Sequence, residues 1–295
     1  VKPADKAYAL LHFAIFLWGF TAILGKLISF SEVLLVWHRI WITCLSLLFF
    51  PGIIKGVRRM GWKTILKFAG VGIIVSLHWV AFYGSIKYSN VSVALSALAT
   101  SSLFASIIEP LITRTRFRLR DMILGLLVIV GIWLIFMVTE MYLKGIIAGI
   151  LAAFLAATFS SFNKRLIADH DSKSVTLIEL GSGFLFLSLL LPIVYPDITM
   201  ESIIPVGTDW MWLLLLGVGC TTLPFILSLN ALRYISAFKS NLAINLEPVY
   251  GILMAALIFG ENKELTGQFY VGTAVILAAV FAQPALRWFS GRFVK

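Results

Sequence analysis

The sequence predicts an all-α membrane protein of ten transmembrane helices arranged as two inverted five-helix repeats, residues 1–139 and 140–295. Three observations predict it. The first is composition. Of 295 residues 60% are hydrophobic and 13% charged, with a mean hydropathy of +0.97, whereas soluble domains are near half apolar and about a quarter charged. This excludes a soluble protein, and at about 20 apolar residues per span plus a turn the chain holds about ten helices and no soluble domain of ordinary size. The second observation is an alternation of charge between successive loops, and the third is an internal repeat.

The apolar runs can be taken in order. Ala7 to Ile28 is too long for a signal-peptide core and has no small-residue cleavage signature after it, so it reads as a span. Within it Trp18 shares a helical face with Thr21 and Gly25. Glu32 to Phe50 follows, with Arg39, Thr43 and Ser46 on one stripe that must point inward, and with His38 on a different face. Ile65 to Ile86 carries Ser76, Trp79 and Tyr83 on one face, together with His78, the one histidine well inside a run. Val91 to Ile112 repeats Ser92, Ser96 and Thr100 at every fourth position, a groove that suits either a ligand or close small-residue helix packing, and ends on Glu109-Pro110. Leu119 to Val138, Leu143 to Leu166, Ser174 to Tyr195 and Trp210 to Ala231 are the next four, with Glu179 near the start of the third of these. Ala237 to Phe259 contains Asn241, Asn245 and the pair Glu247-Pro248, and Gly267 to Phe289 is the tenth.

Nineteen of the 24 basic residues fall in the set of loops and ends that includes both termini, four in the alternate set, and Arg39 lies inside a run. The positive-inside rule therefore places both termini in the cytoplasm of an inner-membrane protein. The net charge of +10 is spread as short clusters between apolar runs, which fits anionic lipid and not nucleic acid. Cys44 and Cys220 lie in apolar runs and read as small buried hydrophobes with no disulfide framework.

The halves also resemble each other. Gly84-Ser85-Ile86-Lys87-Tyr88 echoes Asn230-Ala231-Leu232-Arg233-Tyr234, Gly70-Val71-Gly72 falls on Gly217-Val218-Gly219, Pro51 falls near Pro192, and Lys26-Leu27-Ile28 falls on Arg165-Leu166-Ile167. Five spans per half is an odd number, so the halves enter the membrane in opposite orientation. Two near-equivalent packings of this kind are what alternating access requires.

A charge at the centre of a spanning helix costs about 2.5 to 3.5 kcal/mol on insertion scales, so such groups face protein or water. Glu109 and Glu179, near the basic ends of their runs, read as interfacial carboxylates; Arg39 and Glu247 lie deeper. Arg39 either binds an anionic group with its planar fork or forms a fixed ion pair between helices. Pro248 frees the Ile244 carbonyl and bends the helix beside Glu247. That acid either carries a proton or pairs with Arg39 or with hydroxyls, and Asn245 faces almost the opposite way. His78 is the second proton-carrying candidate. Faces that mix rings with hydroxyls suit a small amphipathic molecule. Candidate substrate-binding residues are thus Trp18, Arg39, His78, Trp79, Tyr83, Ser96, Thr100, Asn245 and Glu247.

Trp18-Gly19-Phe20 with Lys26, Arg39 in the second run, the segment from Ala231 to Asn241 leading to Asn245-Leu246-Glu247-Pro248, and Gly260-Glu261 before a glycine-containing last run are similar to the EamA family of the drug/metabolite transporter superfamily. One departure is that the family's fourth-span proline would fall near Ser102, whereas here Glu109-Pro110 comes a turn or two later. The resemblance implies a ten-helix inner-membrane exporter of small metabolites, with relatives that move amino acids, including aromatic ones.

No ligand-spaced His, Cys or carboxylate cluster marks a metal site, and no nucleotide loop or HExxH occurs; Leu180-Gly181-Ser182-Gly183 lacks the GxSG spacing of an intramembrane serine protease. The expectation is a secondary carrier without cofactor, driven by substrate or proton gradients. The alternative of another class is a polytopic enzyme acting on a lipid or isoprenoid.

Overall fold

The computed structural model describes residues 3–136, 142–244, 246–260 and 266–290. Helices occupy every apolar run, and no strand forms among the described residues. We number the helical segments α1 (Pro3–Trp18 and Thr21–Leu27), α2 (Glu32–Leu48), α3 (Trp62–Tyr88), α4 (Val91–Leu98 and Ser101–Thr113) and α5 (Leu119–Phe136). The second half supplies α6 (Leu143–Leu166), α7 (Ser172–Val194), α8 (Asp209–Leu232 with its π-helical middle), α9 (Ala237–Ile244 and Leu246–Phe259) and α10 (Gly267–Ser290). Seven of these (α1, α3, α4, α6, α7, α8 and α9) are long and apolar enough to cross a membrane. The outside of the bundle is apolar: Leu66, Leu127, Leu151, Leu185, Leu189 and Leu257 are exposed, as a lipid-facing surface requires.

Helices that cannot gain from burying oil against oil must be held by close packing and polar contacts. The α3–α7 crossing shows both. A Cβ on Gly183 would lie 3.0 Å from the Gly72 carbonyl oxygen, so the two backbones touch only because neither residue has a side chain. Next to it the Ser182 hydroxyl donates to the Ala69 carbonyl at 3.0 Å. Elsewhere Ser85 donates to Gly145 across α3 and α6 at 2.6 Å, and Thr43 to Gly217 across α2 and α8 at 2.9 Å. The main pairings are α3 with α6 and α7, α1 with α8 and α9, α2 with α7 and α8, α4 with α6, and α5 with α10.

Three helices are irregular at mid-depth. The α1 helix breaks at Gly19-Phe20 and α4 at Ala99-Thr100, while α8 is π-helical over Leu215–Thr222. In the last case Thr221 and Thr222 return their hydroxyls to the carbonyls five residues back, Leu216 at 2.6 Å and Gly217 at 3.0 Å. Such segments are frequent at functional sites. The break in α4 needs no proline; Pro110 sits inside the helix Ser101–Thr113.

The two ends of the bundle differ. At the basic end Lys164 donates to the Leu232 carbonyl, Arg233 to that of His170 and Arg165 to that of Ile112. Glu109 is buried there, not interfacial: its carboxylate accepts the backbone N–H groups of Ala237 (3.1 Å) and Phe238 (2.7 Å) and so caps the start of α9. Glu179 is likewise inside the packing, with 0% exposure. The opposite end is tied shut by Asp209 accepting from the Ser29 backbone and hydroxyl, by Lys87 on the Ile28 carbonyl, and by Tyr195 on Ser31.

Candidate functional site

A cavity of ≈ 780 Å³, its open mouth included, lies among α1, α2, α3, α4, α6, α8 and α9. It extends from Arg39 and Glu247 at mid-depth to Asn163 and Leu232 at the basic end. Arg39 projects from the inward stripe of α2 and is 2% exposed. Its Nε donates to Thr221 Oγ1 and its Nη1 to the Tyr83 hydroxyl, each at 2.8 Å. The guanidinium carbon lies 3.9 Å from the centroid of the Trp79 ring, a cation–π contact worth about 2 kcal/mol when desolvated. Thr221 can accept from Arg39 because its own proton goes to Leu216 within the π-helical turn. Three neighbours thus orient the fork, and among the described residues its second amino group makes no hydrogen bond while the side chain lines the cavity.

Glu247 is 6% exposed and stands on another wall, with Thr21 Oγ1 3.5 Å from its Oε1. Arg39 and Glu247 interact at a distance through their charges and form no ion pair. A cationic and a carboxyl side chain that do not pair with each other thus line one low-dielectric space, where opposite charges on a ligand can be met. Between them the walls are aromatic: Trp79 meets Phe225 edge to face at 5.8 Å, and Trp18 and Phe159 are also lining residues.

His78 lines the same cavity. Its Nδ1 sits 2.8 Å from the Ala152 carbonyl, and since a carbonyl only accepts, the proton is on Nδ1 and Nε2 is an acceptor. Toward the basic end the wall turns polar, with Asn241 donating to Ser160 Oγ at 2.7 Å. Ser101 Oγ, at the break in α4, is buried without a partner beside the cavity.

Of the residues singled out from the sequence, Trp18, Arg39, His78, Trp79 and Glu247 come together here. Tyr83 is fully buried behind the lining and acts on the site through Arg39. The structure does not bring Ser96 and Thr100 to the cavity: Ser96 meets Thr273 of α10 at 3.2 Å, and Thr100 donates to the Ala97 carbonyl at the helix break. Ser96 serves helix packing, the role small hydroxyl residues commonly take, and Thr100 satisfies a carbonyl of its own helix. Asn245 lies outside the described residues. Thr221, Phe225 and Ser101 were not singled out. For Phe225 a signal existed, because the register that places Tyr88 on Tyr234 also places Trp79 on Phe225. Among the described residues no group of His, Cys, Asp or Glu side chains could hold a metal ion.

The chain belongs to the EamA-like transporter family, whose profile matches it twice, over residues 5–137 and again over 143–282. An uncharacterized transporter from Archaeoglobus fulgidus is 24% identical over 218 residues, 74% of this chain and 75% of that protein. A crystal structure of a protein 17% identical superposes on 99% of this chain and 99% of its own with a TM-score of 0.70, a likeness of fold.

Proposed function

We propose that the protein is an inner-membrane secondary transporter that exports small amphipathic zwitterions, amino acids above all, by alternating access between two inverted five-helix repeats, residues 1–139 and 140–295. The observation that carries the substrate reading is the pair Arg39 and Glu247, opposite charges facing one aromatic-walled cavity without pairing to each other. A carboxylate fits the free edge of the Arg39 fork, an ammonium fits Glu247, and an apolar or aromatic side chain fits against the Trp79 and Phe225 rings. Protonation of Glu247 removes the charge that holds the ammonium, so substrate and proton compete there; His78, a lining residue whose Nε2 is free to accept, is the second place a proton can bind.

Two findings support the repeat. The family profile matches each half separately. Exchanging the halves, α1 for α6 through α5 for α10, also turns the principal helix pairings into one another: α3 with α6 becomes α8 with α1, and α3 with α7 becomes α8 with α2. On this reading α2, α5 and α10 complete ten spans, both termini are cytoplasmic, and the cavity opens toward the basic, cytoplasmic end while Asp209 and Lys87 close the other.

Purified protein in liposomes loaded with unlabelled amphipathic amino acids is expected to take up the labelled compound by counterflow without ATP. A preparation that exchanges no amino acid but turns over a lipid or isoprenoid would establish the membrane-enzyme alternative instead.

A further inference from the structure

Behind the cavity's basic end lies a buried acid that substrate recognition does not use. Glu179 of α7 is 0% exposed and has one hydrogen bond, accepted by Oε2 from Asn163 Nδ2 at 3.3 Å. Its Oε1 and the Oδ1 of Asn163 are both buried and both without a partner. Two orphaned acceptors thus sit on two residues already bonded to each other. Among the described residues, none of the charged and titratable groups on the elements packed around Glu179 makes a hydrogen bond or ion pair to its carboxyl group. They are Glu32, His38, Arg39 and Cys44 of α2, Lys63, Lys67, His78, Tyr83, Lys87 and Tyr88 of α3, Lys55 and Arg58 of the short helix Ile53–Arg58, Asp209 and Cys220 of α8, and Lys144, Lys164 and Arg165 of α6. Asn163, itself 0% exposed, borders the cavity and is the side of the pair nearest to it.

We propose that Glu179 and Asn163 form a proton-binding site, occupied in this conformation. A proton arriving from the cavity bonds to Oε1, the new O–H donates to Asn163 Oδ1, and Asn163 Nδ2 continues to donate to Oε2. The result is a cyclic acid–amide pair that satisfies every orphaned atom, whereas the ionised acid leaves two buried acceptors uncompensated. The pair ties α6 to α7 beside the close α3–α7 crossing at Gly72 and Gly183. Loss of the proton removes the Oε1 arm, leaves Oε1 facing Asn163 Oδ1 as two acceptors, and loosens the tie to the single bond from Asn163 Nδ2 to Oε2. The position within the repeat is also telling: Glu179 is the eighth residue of its helix, as Arg39 is the eighth of α2. One repeat places its ionisable residue at the substrate and the other places it at a proton.

The consequence for transport rests on the carrier reading above, but the protonation does not, and the test separates them. Infrared spectra of the purified full chain at neutral pH are expected to contain an undissociated carboxylic-acid carbonyl band that Glu179→Gln removes. In Asn163→Ala, which serves if Glu179→Gln does not fold, the pH at which that band bleaches moves. With equal pH on both sides of the membrane, the maximal exchange rate of the wild type is expected to rise with pH. Glu179→Gln, which mimics the neutral acid, holds it at the low-pH value with KM unchanged. Spectra unaffected by either substitution, or a Glu179→Gln rate profile that follows the wild type, overturn the proposal. A wild type that exchanges no solute overturns the carrier reading, and the band alone then decides the site.

Discussion

Replacing Arg39 with glutamine is expected to weaken the apparent affinity for a zwitterionic substrate about 30-fold or more. Truncating one partner of a buried, hydrogen-bonded charge pair costs about 2 to 5 kcal/mol, and about 1.4 kcal/mol is tenfold. The guanidinium is held by Tyr83, Thr221 and the Trp79 face, and on the proposed reading its remaining edge meets the substrate carboxylate. Arg39→Lys restores the charge without the fork and is expected to recover part of the loss, because an ammonium cannot bond Tyr83, Thr221 and a carboxylate in one plane. Counterflow KM together with thermal stability of the purified variants checks this. A glutamine variant that binds normally but melts well below the wild type would mark Arg39 as a strut between α2, α3 and α8 with no part in recognition.

On the same reading Glu247→Gln removes the partner of the ammonium and is expected to raise KM about 10- to 100-fold, since hydrogen bonds to charged groups contribute about 1.5 to 3 kcal/mol. Its pH dependence separates recognition from packing. In the wild type only the ionised carboxylate holds the ammonium, so affinity falls on acidification, while in Glu247→Gln it is flat. pH-driven accumulation is lost, and downhill counterflow partly survives because glutamine keeps the shape and the contact with Thr21. Full pH-driven accumulation by the variant would remove Glu247 from the coupling. This profile differs from that expected for Glu179, whose substitution changes the rate and leaves KM alone.

Much of the fold was legible because a lipid environment dictates helix lengths and composition: each apolar run became helix within a few residues of its expected bounds. The inward stripe of α2 was equally legible, since charge and hydroxyls at helical spacing have nowhere else to go. What periodicity could not supply was contact between helices distant in sequence. Arg39 and Glu247 are separated by more than two hundred residues, and whether they pair or merely share a cavity depends on the placement of α1, α2 and α9. Ser96 and Thr100 show the same limit from the other side. A hydroxyl every fourth residue looks alike whether it faces a ligand or a neighbouring helix, and here Ser96 faces Thr273. Glu109 and Glu179 were judged by depth alone, and depth does not reveal that one caps a helix and the other meets an amide. The π-helical turn that presents Thr221 has no signature in the residue pattern; the two adjacent threonines are its nearest trace.

Competition binding with charge-deleted analogues tests the central claim most directly. Purified protein would be saturated with a labelled amphipathic amino acid and challenged with the same compound, with its carboxamide, with its decarboxylated amine and with its N-acyl derivative. The account predicts that only the zwitterion displaces the label efficiently and that each analogue is weaker by about tenfold or more, because each leaves Arg39 or Glu247 buried without a partner. Equal displacement by an analogue lacking either charge would contradict it.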